Sequence, residues 1–174
     1  MGHRTGLFEA QRSRGGKIID FNGWDMPVQF AGITAEHQTV RTGGGVFDLG
    51  HMGRLHLSGP GTLELLSQQV CRRLDDLKPG QVRYGLVLAE DGTVEDDVLV
   101  SREGDQAFHV VVNAGNHQKI LARWQVLAGK SLTDLTASQA MIAVQGPNAA
   151  GLLAGLGLDG RHLKYYSFID LPWA

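Results

Sequence analysis

Residues 81–114 constrain the fold more than any other stretch of this chain. Three apolar runs, QVRYGLVLAE (81–90), TVEDDVLVSRE (93–103) and QAFHVVVNA (106–114), are separated by Asp91-Gly92 and Gly104-Asp105. Gly and Asp tolerate the left-handed backbone of tight hairpins, so the spacing predicts three consecutive antiparallel strands. A sheet of this kind must cover at least one face. Two amphipathic segments can supply that cover. GPGTLELLSQQVCRRL (59–74) places Pro60 near a helix start and Leu63, Leu66 and Val70 on one face. AGNHQKILARWQVLAG (114–129) turns Ile120, Leu121, Trp124 and Leu127 inward, with Asn116 as the cap and Gly129 as the stop.

The first third of the chain is more broken. KIIDFNGWDMPVQFA (17–31) mixes apolar pairs with Asn-Gly and Pro and reads as extended segments and turns. ITAEHQTVRTGGG (33–45) reads as a helix capped by Thr34, with Val40 on its apolar face, and stopped by the glycines. From Arg54 a strand alternates, with Leu55 and Leu57 inward and Arg54, His56 and Ser58 outward. An internal echo links the two ends. LHLSGPGTLELLS (55–67) and IAVQGPNAAGLLA (142–154) share a strand, Gly-Pro and a helix with Leu-Leu at the same offset, 142 − 55 = 87 residues apart. The expected fold is α+β, with antiparallel sheets, flanking helices and duplicated strand–GlyPro–helix modules.

Composition narrows the function classes. With 174 residues, 43% of them hydrophobic and a net charge of −2, the chain suits a globular domain with no general attraction to nucleic acid or anionic membrane. No apolar run approaches the roughly 20 residues that span a bilayer. The N-terminus lacks the apolar core of a secretory signal, and the one cysteine, Cys71, cannot form an internal disulfide. A cytoplasmic protein is expected. Neither a phosphate-binding GxxxxGK[ST] loop nor a GxGxxG after a strand is present, and the His51–His56 spacing fits no zinc motif, so no metal site is expected.

The second strand of the hairpin series carries Asp96 and Asp97 side by side, although aspartate suits a pleated surface poorly. Alternation puts Asp96 with Val94, Val98 and Val100, and Asp97 with Glu95, Leu99 and Ser101. At least one carboxylate therefore faces packed or cleft surface, where desolvation is costly unless the group is bonded. The pair is either a functional acid or base, or a hairpin-end pair bonding turn backbone. Asn113 closes the run FHVVVN, as a binding residue at a strand end or as a turn-former. Tyr84 sits across the hairpin from the acidic strand, available for stacking or for core packing.

LFEAQRSRGGKIIDFNGWDMPVQFAGITAEH, GVFDLGHMG, LSGP, LKPGQVRYGLVLAEDGTVEDDVLV, VVNAGN, VQGP and LKYYSF follow one another in the order of a known family. The chain resembles the T-protein of the glycine cleavage system, the folate-dependent aminomethyltransferases. The resemblance implies transfer of the aminomethyl carbon from the lipoyl arm of H-protein to tetrahydrofolate, giving 5,10-methylenetetrahydrofolate and ammonia. It implies that Asp97 stands at the reactive N10 of the folate, and that Tyr84, Asn113 and Met52 line the pterin pocket. Asp96 is then a structural support. Two positions depart from the family pattern: Gly50 stands where relatives usually have Ser, and Ser101 where an aromatic is common. The match is to an N-terminal half, a folate-binding region over 1–174 built from two intertwined α+β subdomains of about 1–130 and 131–174. The expected partners are H-protein and tetrahydrofolate, with a separate C-terminal half as a further candidate. The alternatives are a folate-binding module without turnover and an inactive fragment, which would expose an apolar patch.

Overall fold

The computed structural model describes residues 2–172. The chain divides into two compact units, and it visits each of them twice. One unit runs up to His51 and takes up Gln139–His162; the other holds Met52–Ser138 and the segment from Leu163 onward.

In chain order, the first unit contributes α1 (Phe8–Ser13), β1 (Ile18–Phe21), β2 (Trp24–Pro27), α2 (Ile33–Thr42) and β3 (Gly45–Asp48). The second follows with β4 (Gly53–Ser58), α3 (Thr62–Gln69), β5 (Gln81–Leu88), β6 (Val94–Gly104), β7 (Ala107–Val112), α4 (His117–Ala128) and β8 (Leu132–Asp134). The chain then returns to the first unit with β9 (Ile142–Gln145) and α5 (Ala149–Gly155). The α+β class and the antiparallel hairpin series are as the sequence predicts. β8 pairs with β4, which ties the chain to the second unit as far as Ser138, and β9 pairs with β3 in the first.

The first unit is built on two two-stranded sheets. β1 and β2 close around Asn22-Gly23, both at positive φ (52° and 82°), as a tight hairpin requires. In α2, Gly32 rather than Thr34 occupies the cap position. Glu36 orders the entry instead, its Oε1 accepting from Phe30 N (2.7 Å) and Gly32 N (2.9 Å), which holds its carboxyl below the usual range. Among the described residues, the buried apolar side chains of this unit are Phe8 and Met26.

The second unit has a five-stranded antiparallel sheet in the order β5-β6-β7-β4-β8. One face, with Leu55, Leu57, Val98, Val100, Phe108, Val110 and Val112, packs with Leu66 of α3 and Ile120 and Trp124 of α4. Each large apolar side chain buried there contributes roughly 1.5–3 kcal/mol. Leu127, expected inward, is 53% exposed, because in the last turn of α4 Ala128 packs against the core in its place. Arg54, expected outward, is 2% exposed. Its face is the one predicted, but the turn after β8 covers it, and Arg54 N donates to Thr136 Oγ1 (3.0 Å) while its guanidinium donates to the Thr136 carbonyl. The two echoes are structural repeats, one in each unit: β4–Gly59-Pro60–α3 and β9–Gly146-Pro147–α5, with both glycines at positive φ (114° and 108°).

Candidate functional site

Strand register assembles the candidate site before any side chain is considered. Leu86 of β5 pairs with Asp97 of β6. Leu99 pairs with Val111, so extending that register by two residues sets Asp97 opposite Asn113. Gly53 pairs with Val112, which sets Met52 opposite Asn113 in turn. Tyr84, two residues from Leu86, is the diagonal neighbour of Asp97 on the same face. Four residues spread over positions 52–113 thus form one row across β5, β6, β7 and β4.

Side-chain bonds tie the row together. Asn113 Nδ2 donates to Asp97 Oδ1 (2.8 Å) and to the Asp97 carbonyl (3.1 Å). Tyr84 hydrogen-bonds Asp97, and its phenol is pushed above its ordinary value, first by loss of solvent and then by the Asp97 charge and that bond. Asp97 and Tyr84 are both exposed, the latter at 46%, so the row opens to solvent through a carboxylate and an aromatic ring. Met52 is held from behind. Arg54 Nη1 donates to the Met52 carbonyl at 2.6 Å.

Asp96 points the other way, into the sheet's packed face, and is 3% exposed. Its burial is compensated in full by nitrogen donors. Oδ2 accepts from Asn113 N (3.0 Å), and Oδ1 accepts from Asn113 Nδ2 and Asn116 Nδ2, both at 2.8 Å. Asn113 therefore bridges the two carboxylates, one buried and one exposed. Parity had given the opposite faces; the bridge is added by the strand end. Asn116 does occupy the cap position of α4, but makes no capping bond because its side chain serves Asp96.

Two contributors were not foreseen. Asn116 read as a helix cap and nothing more. Tyr166 is brought beside Tyr84 when the chain returns after His162: Ser167 bridges to Gln81, Val82 N donates to the Tyr166 carbonyl (2.8 Å), and Tyr84 acts electrostatically on the Tyr166 phenol. That phenol is raised mainly by its bond to Tyr165, with loss of solvent and the two neighbouring phenols adding to it. The paired aromatics of LKYYSF were the available signal. The glycine cluster has a packing explanation at the site's edge. A Cβ on Gly53 would stand 2.5 Å from Val112 Cγ2 and 2.6 Å from the His117 ring. That ring is itself fixed, with Nε2 3.0 Å from Asp134 Oδ2. Among the described residues no group of three or more His, Cys, Asp or Glu could hold a metal ion, and no helix is long and apolar enough to cross a membrane.

The family described as GCVT N-terminal domain matches residues 7–174. The chain belongs to that family. It is 40% identical over 171 residues to an aminomethyltransferase of Bacillus subtilis (strain 168), covering 96% of this chain and 47% of the relative. It is 42% identical over 171 residues to one of Rubrobacter xylanophilus, with 96% and 46% covered. Among solved structures, the glycine cleavage system aminomethyltransferase T of Bartonella henselae superposes with a TM-score of 0.87 at 33% identity, covering 96% of this chain and 47% of that one. The chain spans about half the length of these GCVT relatives. The match runs through Tyr84, Asp96, Asp97 and Asn113, and it agrees with the resemblance read from the sequence.

Proposed function

We propose that this chain supplies the folate-facing part of a cytoplasmic aminomethyltransferase, which moves the aminomethyl carbon from the lipoyl arm of H-protein to tetrahydrofolate, giving 5,10-methylenetetrahydrofolate and ammonia. The observation that carries the proposal is the exposed Asp97 carboxylate, fixed by Asn113 and Tyr84 on a single row in a chain of this family.

Each residue has a physical task in that reading. Asp97 accepts a hydrogen bond from the folate N10 nitrogen, stabilises positive charge developing there and takes its proton. A carboxylate already held by two donors spends little free energy on reorganising as charge appears. Tyr84 offers an aromatic face and edge to the flat pterin. Asn113 holds the carboxylate angle, and Met52 supplies an adaptable apolar wall. Asp96 acts through Asn113 and touches no reacting atom.

Titration with tetrahydrofolate by calorimetry tests the binding half of the proposal. Heat that saturates in the micromolar range supports it, and no heat at high micromolar ligand overturns it. Formation of methylenetetrahydrofolate from aminomethyl-loaded H-protein tests the transfer. Binding without product would favour a folate-binding module over an enzyme.

A further inference from the structure

We infer that His117, a buried imidazole with no part in the proposed chemistry, is a positioning residue that holds Met52 and Asn113 at the end of the row. The inference rests on the proposed function only for what the row is there to bind.

Met52 and Asn113 lie one residue beyond the ladder. β4 begins at Gly53, β7 ends at Val112, and those two residues are direct partners. The last pairs of a ladder open more readily than its middle, so the end of the row needs anchors of its own. For Asn113 the anchor is Asp96, which accepts from its backbone and side-chain nitrogens. For Met52 it starts with Arg54, whose Nη1 donates to the Met52 carbonyl. Arg54 is held in turn by Thr136, which accepts from Arg54 N at its hydroxyl and from Nη2 at its carbonyl. The Thr136 hydroxyl donates to Asp134 Oδ1, and His117 Nε2 lies 3.0 Å from Asp134 Oδ2. A carboxylate oxygen at that distance requires an N–H, so Nε2 carries the proton and donates it. His117, Asp134, Thr136, Arg54 and Met52 thus form one continuous series of hydrogen bonds.

The ring also acts by contact. A Cβ on Gly53 would stand 2.6 Å from His117 Cδ2, so the imidazole lies directly on the Gly53 backbone, with the Val112 side chain meeting the same point. Gly53 and Val112 are the sequence neighbours of Met52 and Asn113. An aliphatic side chain would fill this space without the cost of burying a polar ring, and His117 is 7% exposed. What the imidazole adds is a directional N–H toward Asp134. The start of α4 therefore serves both row members with consecutive residues. Asn116 reaches Asn113 through Asp96, and His117 reaches Met52 through Asp134, Thr136 and Arg54. Misplacing a site wall by about 1 Å costs up to about 100-fold in rate, so support of this kind acts on function without touching the ligand.

The test compares His117→Leu, His117→Gln, Asp134→Asn and Leu66→Ala in the whole 174-residue chain. Leu66 is 0% exposed in the core and stands outside the series of bonds, so its variant reports lost stability alone. Nuclear magnetic resonance follows the Met52 methyl and the Asn113 side-chain amide. His117→Leu and Asp134→Asn should each move both signals, and the double variant should move them no further than either single one. His117→Gln keeps an N–H near the place of Nε2 and should return the signals toward the parent, while Leu66→Ala should leave them in place. Tetrahydrofolate affinity by calorimetry should fall at least about tenfold in His117→Leu and stay within about threefold in His117→Gln. Unmoved signals or parental affinity in His117→Leu, failure of Gln to rescue, or equal movement in Leu66→Ala would each overturn the inference. Should His117→Leu fail to fold, Asp134→Asn, at a partly exposed position, carries the same comparison. A parent chain that binds no tetrahydrofolate would overturn the proposed function, and the two resonances would still decide the role of His117.

Discussion

Replacing Asp96 with Ala separates support from chemistry most directly. The substitution removes the acceptor of three N–H groups: Asn113 N, Asn113 Nδ2 and Asn116 Nδ2. Asn113 Nδ2 retains Asp97 as a partner, and Asn116 is partly exposed and can turn to water. The lasting cost is the half-buried Asn113 amide left without an acceptor, together with the lost charge-assisted bonds, about 2–4 kcal/mol in all. Against a total stability of about 5–15 kcal/mol this is a large fraction. With a urea slope of about 1–3 kcal/mol per molar, the midpoint should fall by about 0.7–4 M. Amide exchange at Val98, Val110 and Val112 should accelerate in parallel, because these residues flank the bridge. Asp97→Ala, at an exposed position, should stay within about 0.5 kcal/mol of the parent. A cycle with Asn113→Ala should return a coupling of about 1–2 kcal/mol between Asp96 and Asn113. If Asp96→Ala unfolds at the parent's midpoint, or if the two aspartate variants are equally destabilised, the division into buried support and exposed acid is wrong.

Other consequences follow from the same geometry. Asp97→Asn should abolish methylenetetrahydrofolate formation in a steady-state assay while leaving the thermal midpoint unchanged, and retention of turnover would remove Asp97 from the reaction. The Tyr84 phenol, raised by lost solvent and by Asp97, should titrate above the ordinary tyrosine range and move down in Asp97→Asn, as read by ultraviolet titration of tyrosinate. Because the fold favours the neutral phenol, its contribution to stability is whole at neutral pH and declines as pH rises through the ordinary value toward the raised one. Gly53→Ala should cost about 1–3 kcal/mol by chemical denaturation, since its Cβ would collide with Val112 and His117. Trp124→Ala should cost about 3–5 kcal/mol, whereas Leu127→Ala, three residues on in the same helix but half exposed, should cost under about 1.

How far the site was legible depended on how local its causes were. The parity of Asp96 and Asp97 follows from strand geometry alone, and the structure keeps it. Turn chemistry at Asp91-Gly92 and Gly104-Asp105 set the order of three strands, and register then carried Tyr84, Asp97 and Asn113 to one row. Asn116 was misread because a helix cap and a ligand to a buried carboxylate look alike in sequence. Arg54 was misread because alternation reports which face a side chain takes, not what later covers that face. Thr136, 82 residues away, makes the difference between an exposed and a buried guanidinium.

The chain's local patterns determined the α+β class, the hairpin series and the repeated strand–GlyPro–helix module. Those depend on period-two and period-3.6 alternation and on turn residues, which act over a few positions. Tertiary structure decided where each copy of the module went. One copy lies in a sheet with neighbours on both sides and a filled core; the other holds a single partner strand, and its helix buries no residue. The same decision set the passage between the units at Ser138, because strand pairing joins residues by register and not by proximity along the chain. Asp97 became a candidate acid in the same way, once a strand end from β7 and a tyrosine from β5 arrived beside it.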